Sequence, residues 1–67
     1  MNLQVNGQAL EIREEALTIA ALLEQLGYSN RFVAVAVNSD CIPRQSFASH
    51  LLRAQDKIEI LAPMAGG

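Results

Sequence analysis

The dipeptide Asn6-Gly7 constrains the fold of this 67-residue chain more than any other feature of its sequence. It separates two short segments in which apolar and polar residues alternate, as they do in strands with one buried face. Asn-Gly favours a type I′ turn, because both central residues of that turn require a positive φ. The two-residue turn sets the register of the hairpin, with Val5 opposite Gln8, Leu3 opposite Leu10 and Met1 opposite Ile12. Leu3, Leu10 and Ile12 then share one buried face, so turn chemistry and hydrophobic pattern predict the same hairpin.

An amphipathic helix is predicted after the hairpin. Thr18 can cap its first turn with the hydroxyl group, and Gly27 lies where a left-handed residue commonly ends a helix. Residues 13–17 are then a polar connection between hairpin and helix. Four apolar residues share the helical spacing i, i+3, i+4 and i+7, namely Ile19, Leu22, Leu23 and Leu26.

Alternation with a period of two returns in residues 31–37 and predicts a third strand. Val33, Val35 and Val37 lie on one face of this strand, and we expect them to pack against the helix because valine fills a core better than alanine does. The opposite face carries three further apolar residues, Phe32, Ala34 and Ala36.

Two shorter elements are predicted next. Cys41-Ile42-Pro43 is at most an edge strand, because proline cannot donate a hydrogen bond to a neighbouring strand. Residues 46–52 predict a brief helical turn that buries Phe47 and Leu51.

Residues 57–61 predict the final strand, with Ile58 and Ile60 facing the core. The order hairpin, helix, strand, edge strand, strand predicts an α+β fold, in which one main helix packs on one face of a mixed four- to five-stranded sheet. This is the layering of the β-grasp, or ubiquitin-like, fold, in which the first and last strands are central neighbours. We expect residues 1–62 to form this domain and residues 63–67 to form a flexible C-terminal tail.

The sequence ends with Gly66-Gly67. Glycine has no Cβ, so two of them give a thin terminus with a carboxylate at its tip. Met64, Ala65, Gly66 and Gly67 are therefore predicted to enter a narrow active site in a partner protein. The alternative is a frayed chain end without a function, since most termini are poorly ordered.

Composition argues against several classes of protein. The net charge is −2 and the five Lys and Arg residues are scattered, whereas nucleic-acid binding needs clustered basic residues. No apolar run approaches the roughly 20 residues of a membrane span. The single cysteine cannot form an internal disulfide, which fits a reducing cytoplasm. We therefore expect a cytoplasmic protein that binds neither nucleic acid nor membrane.

The sequence offers no convincing catalytic group or metal site. His50 is the only histidine and has no second ligand at metal-site spacing. Cys41 is a possible nucleophile, but a free cysteine more often behaves as a small buried apolar residue. The chain is therefore not expected to be an enzyme or to bind a cofactor, and its reactive group would be the carboxylate of Gly67.

One apolar surface is predicted outside the core. If the valines and the helix fill the interior, Phe32, Ala34, Ala36 and Leu61 lie on the sheet face away from the helix, near the root of the tail. A small apolar patch of this kind is often a docking face for a partner, although an ordinary half-exposed sheet face is nearly as common.

The chain resembles the ThiS family, the sulfur carrier proteins of thiamine biosynthesis, over essentially its whole length. The feature that distinguishes this family from others with the same fold is the run of Val-Ala-Val, Asn and Ile-Pro-Arg. The matching features are Asn6-Gly7, the helix from Thr18 to Leu26, residues 32–38, Ile42-Pro43-Arg44 followed by Phe47, residues 56–60 and Gly66-Gly67.

This resemblance implies a function carried by Gly67. In the family, a ThiF-type adenylating enzyme uses ATP to activate the terminal carboxylate, which is then converted to a thiocarboxylate. The sulfur comes from a donor system such as a cysteine desulfurase or its equivalent. The carrier then hands the sulfur to thiazole synthase, which builds the thiazole phosphate of thiamine.

Two departures from the family pattern leave alternatives open. Gln55 stands where family members often have glycine before Asp56, and Pro63 in the tail resembles the small subunit of molybdopterin synthase. That subunit is the first alternative. A ubiquitin-like modifier that is conjugated to lysines through Gly67 is the second, and a plain interaction module is the third.

Overall fold

The computed structural model describes residues 1–28 and 32–62. Its elements in chain order are β1 (Asn2–Val5), β2 (Gln8–Glu11), β3 (Leu17–Thr18), α1 (Ile19–Leu26), β4 (Ala34–Val37), β5 (Asp40–Ile42), a 3₁₀ turn (Arg44–Ser46), β6 (Leu51–Leu52) and β7 (Lys57–Leu61). Five strands form one sheet in the order β2-β1-β7-β4-β5, and β3 pairs with β6 in a separate small sheet. The helix α1 packs on one face of the five-stranded sheet, as predicted.

The predicted hairpin is confirmed in turn type and register. Asn6 and Gly7 have φ values of 51° and 82°, and Leu3 lies opposite Leu10. The Ile12 N–H donates to the Met1 carbonyl oxygen at 2.8 Å, which continues the pairing beyond β2. Leu3 and Ile12 are buried, whereas Leu10 is half-buried at the edge of the sheet.

Both ends of α1 have the predicted caps. The Thr18 Oγ1 accepts a hydrogen bond from the Ala21 N–H at 3.1 Å. Gly27 is left-handed with φ 83°, and its N–H donates to the Glu24 carbonyl oxygen at 3.2 Å. The Tyr28 N–H reaches back to the Leu23 carbonyl oxygen at 2.9 Å, which completes a Schellman motif. The helix therefore begins and ends where its sequence directs.

Strand β4 confirms which face of residues 31–37 is internal. Val35 and Val37 are buried, and Val33, just before the strand, is half-buried. Arg31, the predicted first residue of this strand, lies outside the described residues. The valines and the buried side of α1 share one core, whose buried members are Leu3, Ile12, Leu17, Ile19, Leu22, Leu23, Val35, Val37, Phe47, Leu52, Ile58 and Ile60.

Residues 46–52 match the prediction only in part. The His50 N–H donates to the Ser46 carbonyl oxygen at 2.8 Å in a helical turn, but β6 follows at Leu51–Leu52. Phe47 is buried as expected, but Leu51 is 55% exposed and Leu52 is fully buried instead. The prediction assumed helical spacing, in which Phe47 and Leu51 share a face. The chain is extended in β6, so neighbouring side chains point in opposite directions and Leu52 faces inward.

The connection before the helix also differs at its last residue. Leu17 is not part of a polar crossing but a buried residue of β3, where it lies opposite Leu52. The main-chain N–H of Ile19 donates to the His50 carbonyl oxygen at 3.1 Å and extends this pairing into the helix start. The small sheet therefore closes one end of the core and orients the first turn of α1.

Adjacent leucines in β6 give a matched test of this arrangement. We expect Leu52→Ala to lower the free energy of unfolding by about 2–5 kcal/mol, because it opens a cavity in the core. Leu51→Ala removes the same atoms from an exposed position and should change the free energy of unfolding by less than about 0.5 kcal/mol. Urea unfolding of the two variants measures the difference. Equal losses would contradict the strand assignment.

Candidate functional site

Strand β7 carries the chain out of the middle of the sheet. It runs parallel to β1, with Val5 opposite Ile58, and antiparallel to β4, with Ala34 opposite Leu61. The prediction that the first and last strands are central neighbours is therefore confirmed. The predicted tail residues Met64, Ala65, Gly66 and Gly67 lie outside the described residues. The site that the structure describes is the root of that tail.

The side chain of Asn6 holds β7 where β1 turns away. The Asn6 N–H donates to the Ile58 carbonyl oxygen at 2.9 Å, as a parallel ladder requires. The next rung would use the main-chain carbonyl of Asn6, which the hairpin turn redirects. The Asn6 Oδ1 takes its place and accepts from the Ile60 N–H at 2.8 Å. One asparagine thus forms the turn and extends the ladder toward the tail root.

Asn38 performs a similar role at the start of β7. Its N–H donates to the Lys57 carbonyl oxygen at 2.8 Å, and its Oδ1 accepts from the Lys57 N–H at 3.0 Å. The Asn38 Nδ2 also donates to the Asp56 carboxylate at 3.0 Å, and that carboxylate accepts from the Arg53 N–H at 2.9 Å. Two asparagine side chains therefore secure the two ends of the central strand.

Sequence reasoning missed these two roles. The sequence predicts a turn at Asn6, and it gives Asn38 only as part of residues 32–38 in the family pattern. The available signal was the asparagine at the end of each strand that flanks β7, since asparagine combines tolerance of positive φ with a side-chain acceptor. Both residues have φ 51°.

Gln55 occupies a left-handed position just before β7. Its φ is 72°, a region that favours glycine, and its N–H donates to the Asn2 carbonyl oxygen at 2.6 Å. This geometry explains physically why a glycine suits the position before Asp56. Glutamine adopts the same turn at some cost in backbone energy.

Three of the predicted docking residues, Ala34, Ala36 and Leu61, lie on the sheet face opposite the helix, and Phe32 precedes β4. Phe32 is 68% exposed and Leu61 is 74% exposed. Ala34 is exposed and Ala36 is half-buried, in alternation with the buried valines of β4. We call Phe32, Ala34, Ala36 and Leu61 the apolar face. It lies beside the point where the chain leaves β7.

A groove of about 190 Å³ crosses the apolar face. Its floor lies along β4 and β7, and the exposed thiol-bearing residue Cys41 contributes from the edge strand β5. Glu59 lies opposite Ala36 and brings a carboxylate to an otherwise largely apolar wall. Asn6 and Leu61 also line the groove.

The other candidate groups form no reactive cluster in the part of the chain that the structure describes. His50 is half-buried and Cys41 is an exposed free cysteine. Within residues 1–28 and 32–62, no group of three or more His, Cys, Asp or Glu side chains could hold a metal ion. The helix found in these residues is too short to cross a membrane.

Comparison with known proteins gives the family. The sequence model described as "ThiS family" matches residues 3–67, nearly the whole chain. The chain belongs to the ThiS family. The match includes residues 63–67, so the tail that lies outside the described residues falls within the region shared with the family.

Individual relatives of this ThiS-family chain agree with the match. It is 33% identical over 67 residues to the sulfur carrier protein ThiS of Escherichia coli, with all of both chains covered. It is 37% identical over 67 residues to a thiazole synthase of Paramagnetospirillum magneticum, but it spans only 20% of that protein's length.

A solved structure confirms the β-grasp architecture. The crystal structure of the thiamine biosynthesis protein ThiS from Geobacter metallireducens matches with a TM-score of 0.86 at 32% identity, and the match covers 100% of both chains. The family's fold is thus present here with one helix on a mixed five-stranded sheet.

The Asn6 side chain can be tested separately from the turn. Asn6→Gly keeps the freedom for positive φ but removes Oδ1, which leaves the Ile60 N–H without its acceptor. We expect the free energy of unfolding to fall by about 1–3 kcal/mol. Asn6→Asp, which retains an acceptor oxygen, is the matched control and should lose less. Chemical denaturation measures both variants, and a wild-type stability for Asn6→Gly would contradict the assigned role.

Proposed function

We propose that this ThiS-family chain is a sulfur carrier of thiamine biosynthesis and that the carboxylate of Gly67 is the group that carries the sulfur. The observation that carries this proposal is the end-to-end match with the Escherichia coli sulfur carrier protein ThiS. The family match through residue 67 and the central position of β7, from which the chain runs to Gly66-Gly67, support it.

The proposed chemistry requires activation of the carboxylate, because a carboxylate oxygen is a poor leaving group. A ThiF-type adenylating enzyme would join the Gly67 carboxylate to AMP and release pyrophosphate from ATP. The persulfide sulfur of a cysteine desulfurase or an equivalent donor would then form a C–S bond at that carbon, displace AMP and give an acyl disulfide. A second thiol would attack the outer sulfur of that S–S bond, which leaves the thiocarboxylate on the carrier and a new disulfide on the donor side. The resulting thiocarboxylate is ionised at neutral pH, and ionised sulfur is the nucleophilic form.

Thiazole synthase is the proposed recipient of the sulfur. A region similar to this whole chain makes up 20% of a protein named thiazole synthase in Paramagnetospirillum magneticum. That relationship supports a carrier that works beside a thiazole synthase. The activating enzyme and the donor are proposed from the family resemblance.

In this proposal the carrier is not an enzyme and binds no cofactor, and it contributes shape while its partners catalyse each step. We propose that residues 63–67 form a tether, which at about 3.3–3.6 Å per residue would reach roughly 17 Å when extended. That length would allow Gly67 to reach a buried active site while the folded body stays outside.

A cytoplasmic location is part of the same proposal, since the exposed free thiol of Cys41 fits a reducing compartment.

The apolar face is proposed to dock the partners, because Gly-Gly alone is too common to specify one. Its exposed residue Leu61 is the last residue of β7, at the tail root, so a partner that receives the tail would also cover part of this face. If the activating enzyme and thiazole synthase both use the apolar face, they cannot bind the carrier at the same time. The carrier must then leave the activating enzyme before it can deliver sulfur to thiazole synthase.

Removal of Gly67 tests the proposed site. We expect that deletion of Gly67, or addition of one residue after it, abolishes ATP–pyrophosphate exchange by the activating enzyme while the domain still folds. Met64→Leu changes the tail but keeps Gly66-Gly67, and it should retain exchange. Intact mass after incubation with ATP and a sulfur source reports thiocarboxylate on the wild type. Normal exchange by the deletion variant would refute the proposal, and accumulation of lysine-linked conjugates in cells would favour a modifier instead.

The apolar face can be tested by charge insertion. We expect Leu61→Glu and Ala36→Asp to weaken binding to the activating enzyme or to thiazole synthase by about tenfold or more. Leu61→Glu replaces an apolar contact with a carboxylate that loses its water in the interface, and Ala36→Asp places a second carboxylate directly opposite Glu59, where the two charges repel. Leu51→Glu places the same charge on an exposed leucine away from this face and should leave binding unchanged. Calorimetric titration measures affinity, and thermal melting checks that the variants fold. Unchanged binding by both variants would place docking elsewhere.

A further inference from the structure

The outward face of the sheet has two chemically different halves. Beside β1 and β2 it is polar, with Gln4, Glu11 and Lys57 around a shallow depression. Beside β4 and β5 it is apolar and contains the groove between Leu61 and Cys41. Strand β7 forms the boundary, since its outward residues contribute to both halves.

Glu59 places the only carboxylate among the described lining residues of the apolar groove. Across the ladder it lies opposite Ala36, whose methyl group neither pairs with the charge nor covers it. Lys57 is two residues earlier on the same face, about 7 Å along the strand, and belongs to the polar half. Within residues 1–28 and 32–62, no hydrogen bond or ion pair engages the Glu59 carboxylate.

Water stabilises this carboxylate in the free protein, because Glu59 is exposed. A partner that covers the groove removes that water. A carboxylate buried without a counter-charge is strongly unfavourable, whereas a cation with good hydrogen-bonding geometry compensates for the lost hydration. A tight complex over this groove must therefore supply hydrogen-bond donors opposite Glu59, and a cation supplies both the donors and the opposite charge.

We propose that Glu59 determines which partner surface fits the groove, and that thiazole synthase presents an arginine or lysine to it from within an apolar patch. This inference rests on the proposed function. An arginine suits the position best, since its planar guanidinium can donate two hydrogen bonds to one carboxylate and can lie flat on apolar neighbours. The body of the carrier would then be recognised by charge as well as by apolar contact.

The test compares two isosteric substitutions on the same sheet face. Glu59→Gln and Glu11→Gln each remove one negative charge, but Glu11 lies on β2, in the polar half, opposite Asn2. We expect Glu59→Gln to weaken binding to thiazole synthase from the same organism by roughly ten- to a hundredfold. Glu59→Lys should weaken it further by repulsion, while Glu11→Gln should bind as the wild type does.

Calorimetric titration with the full-length carrier measures these affinities, and thermal melting of each variant confirms its fold. Wild-type or tighter binding by Glu59→Gln would overturn the inference, because it would show that the charge is unpaired in the complex. A loss of equal size for Glu11→Gln would also overturn it, since the effect would then be one of net charge.

The wild-type protein separates a failure of this inference from a failure of the proposed function. If it gains thiocarboxylate and binds thiazole synthase while Glu59→Gln binds equally well, only the role of Glu59 is wrong. If the wild type neither gains thiocarboxylate nor binds the synthase, the proposed function fails and the inference fails with it.

Discussion

The fold depends on the parallel pairing of β1 with β7, which joins the two ends of the described chain. This ladder brings residues 4–6 to residues 56–60 and places β7 between the hairpin and β4. Without it, the β1–β2 hairpin would be a two-stranded ribbon, which is marginally stable at best, and β7, β4 and β5 would form a separate three-stranded sheet. The pairing is short because β1 turns at Asn6-Gly7, and the Asn6 side chain supplies the rung that the turn removes.

The same strand serves the core on one face and recognition on the other. Ile58 and Ile60 are buried under the helix, whereas Glu59 and Leu61 alternate with them toward solvent. A substitution at an outward position can therefore alter partner binding without opening the core. This separation suits a carrier whose chemistry is proposed to occur beyond the end of the strand, in the active sites of other proteins.

The small sheet of β3 and β6 completes the core at one end. Leu17 and Leu52 lie opposite each other and are both buried, and their pairing leads directly into the Thr18 cap of the helix. In a domain of this size each buried leucine is a large share of the interior, so the orientation of these residues matters to the stability of the whole.

Local patterns in the sequence determined the elements with strong chemistry of their own. Asn6-Gly7 fixed a turn and a register, and the Thr18 and Gly27 caps fixed a helix, because each acts through neighbouring backbone atoms. The choice of Leu52 over Leu51 could not be predicted this way, since helical and extended spacing both fit so short a segment until β6 finds β3 as its partner. The acceptor role of Asn6 likewise exists only once a strand more than 50 residues later lies beside it. The sequence thus determined which secondary structure each segment forms by itself. Tertiary pairing of strands decided whether Leu51 or Leu52 faces the core, where helical and extended spacing both fitted the sequence. It also decided which distant polar atoms form hydrogen bonds, such as the Asn6 side chain with the Ile60 N–H.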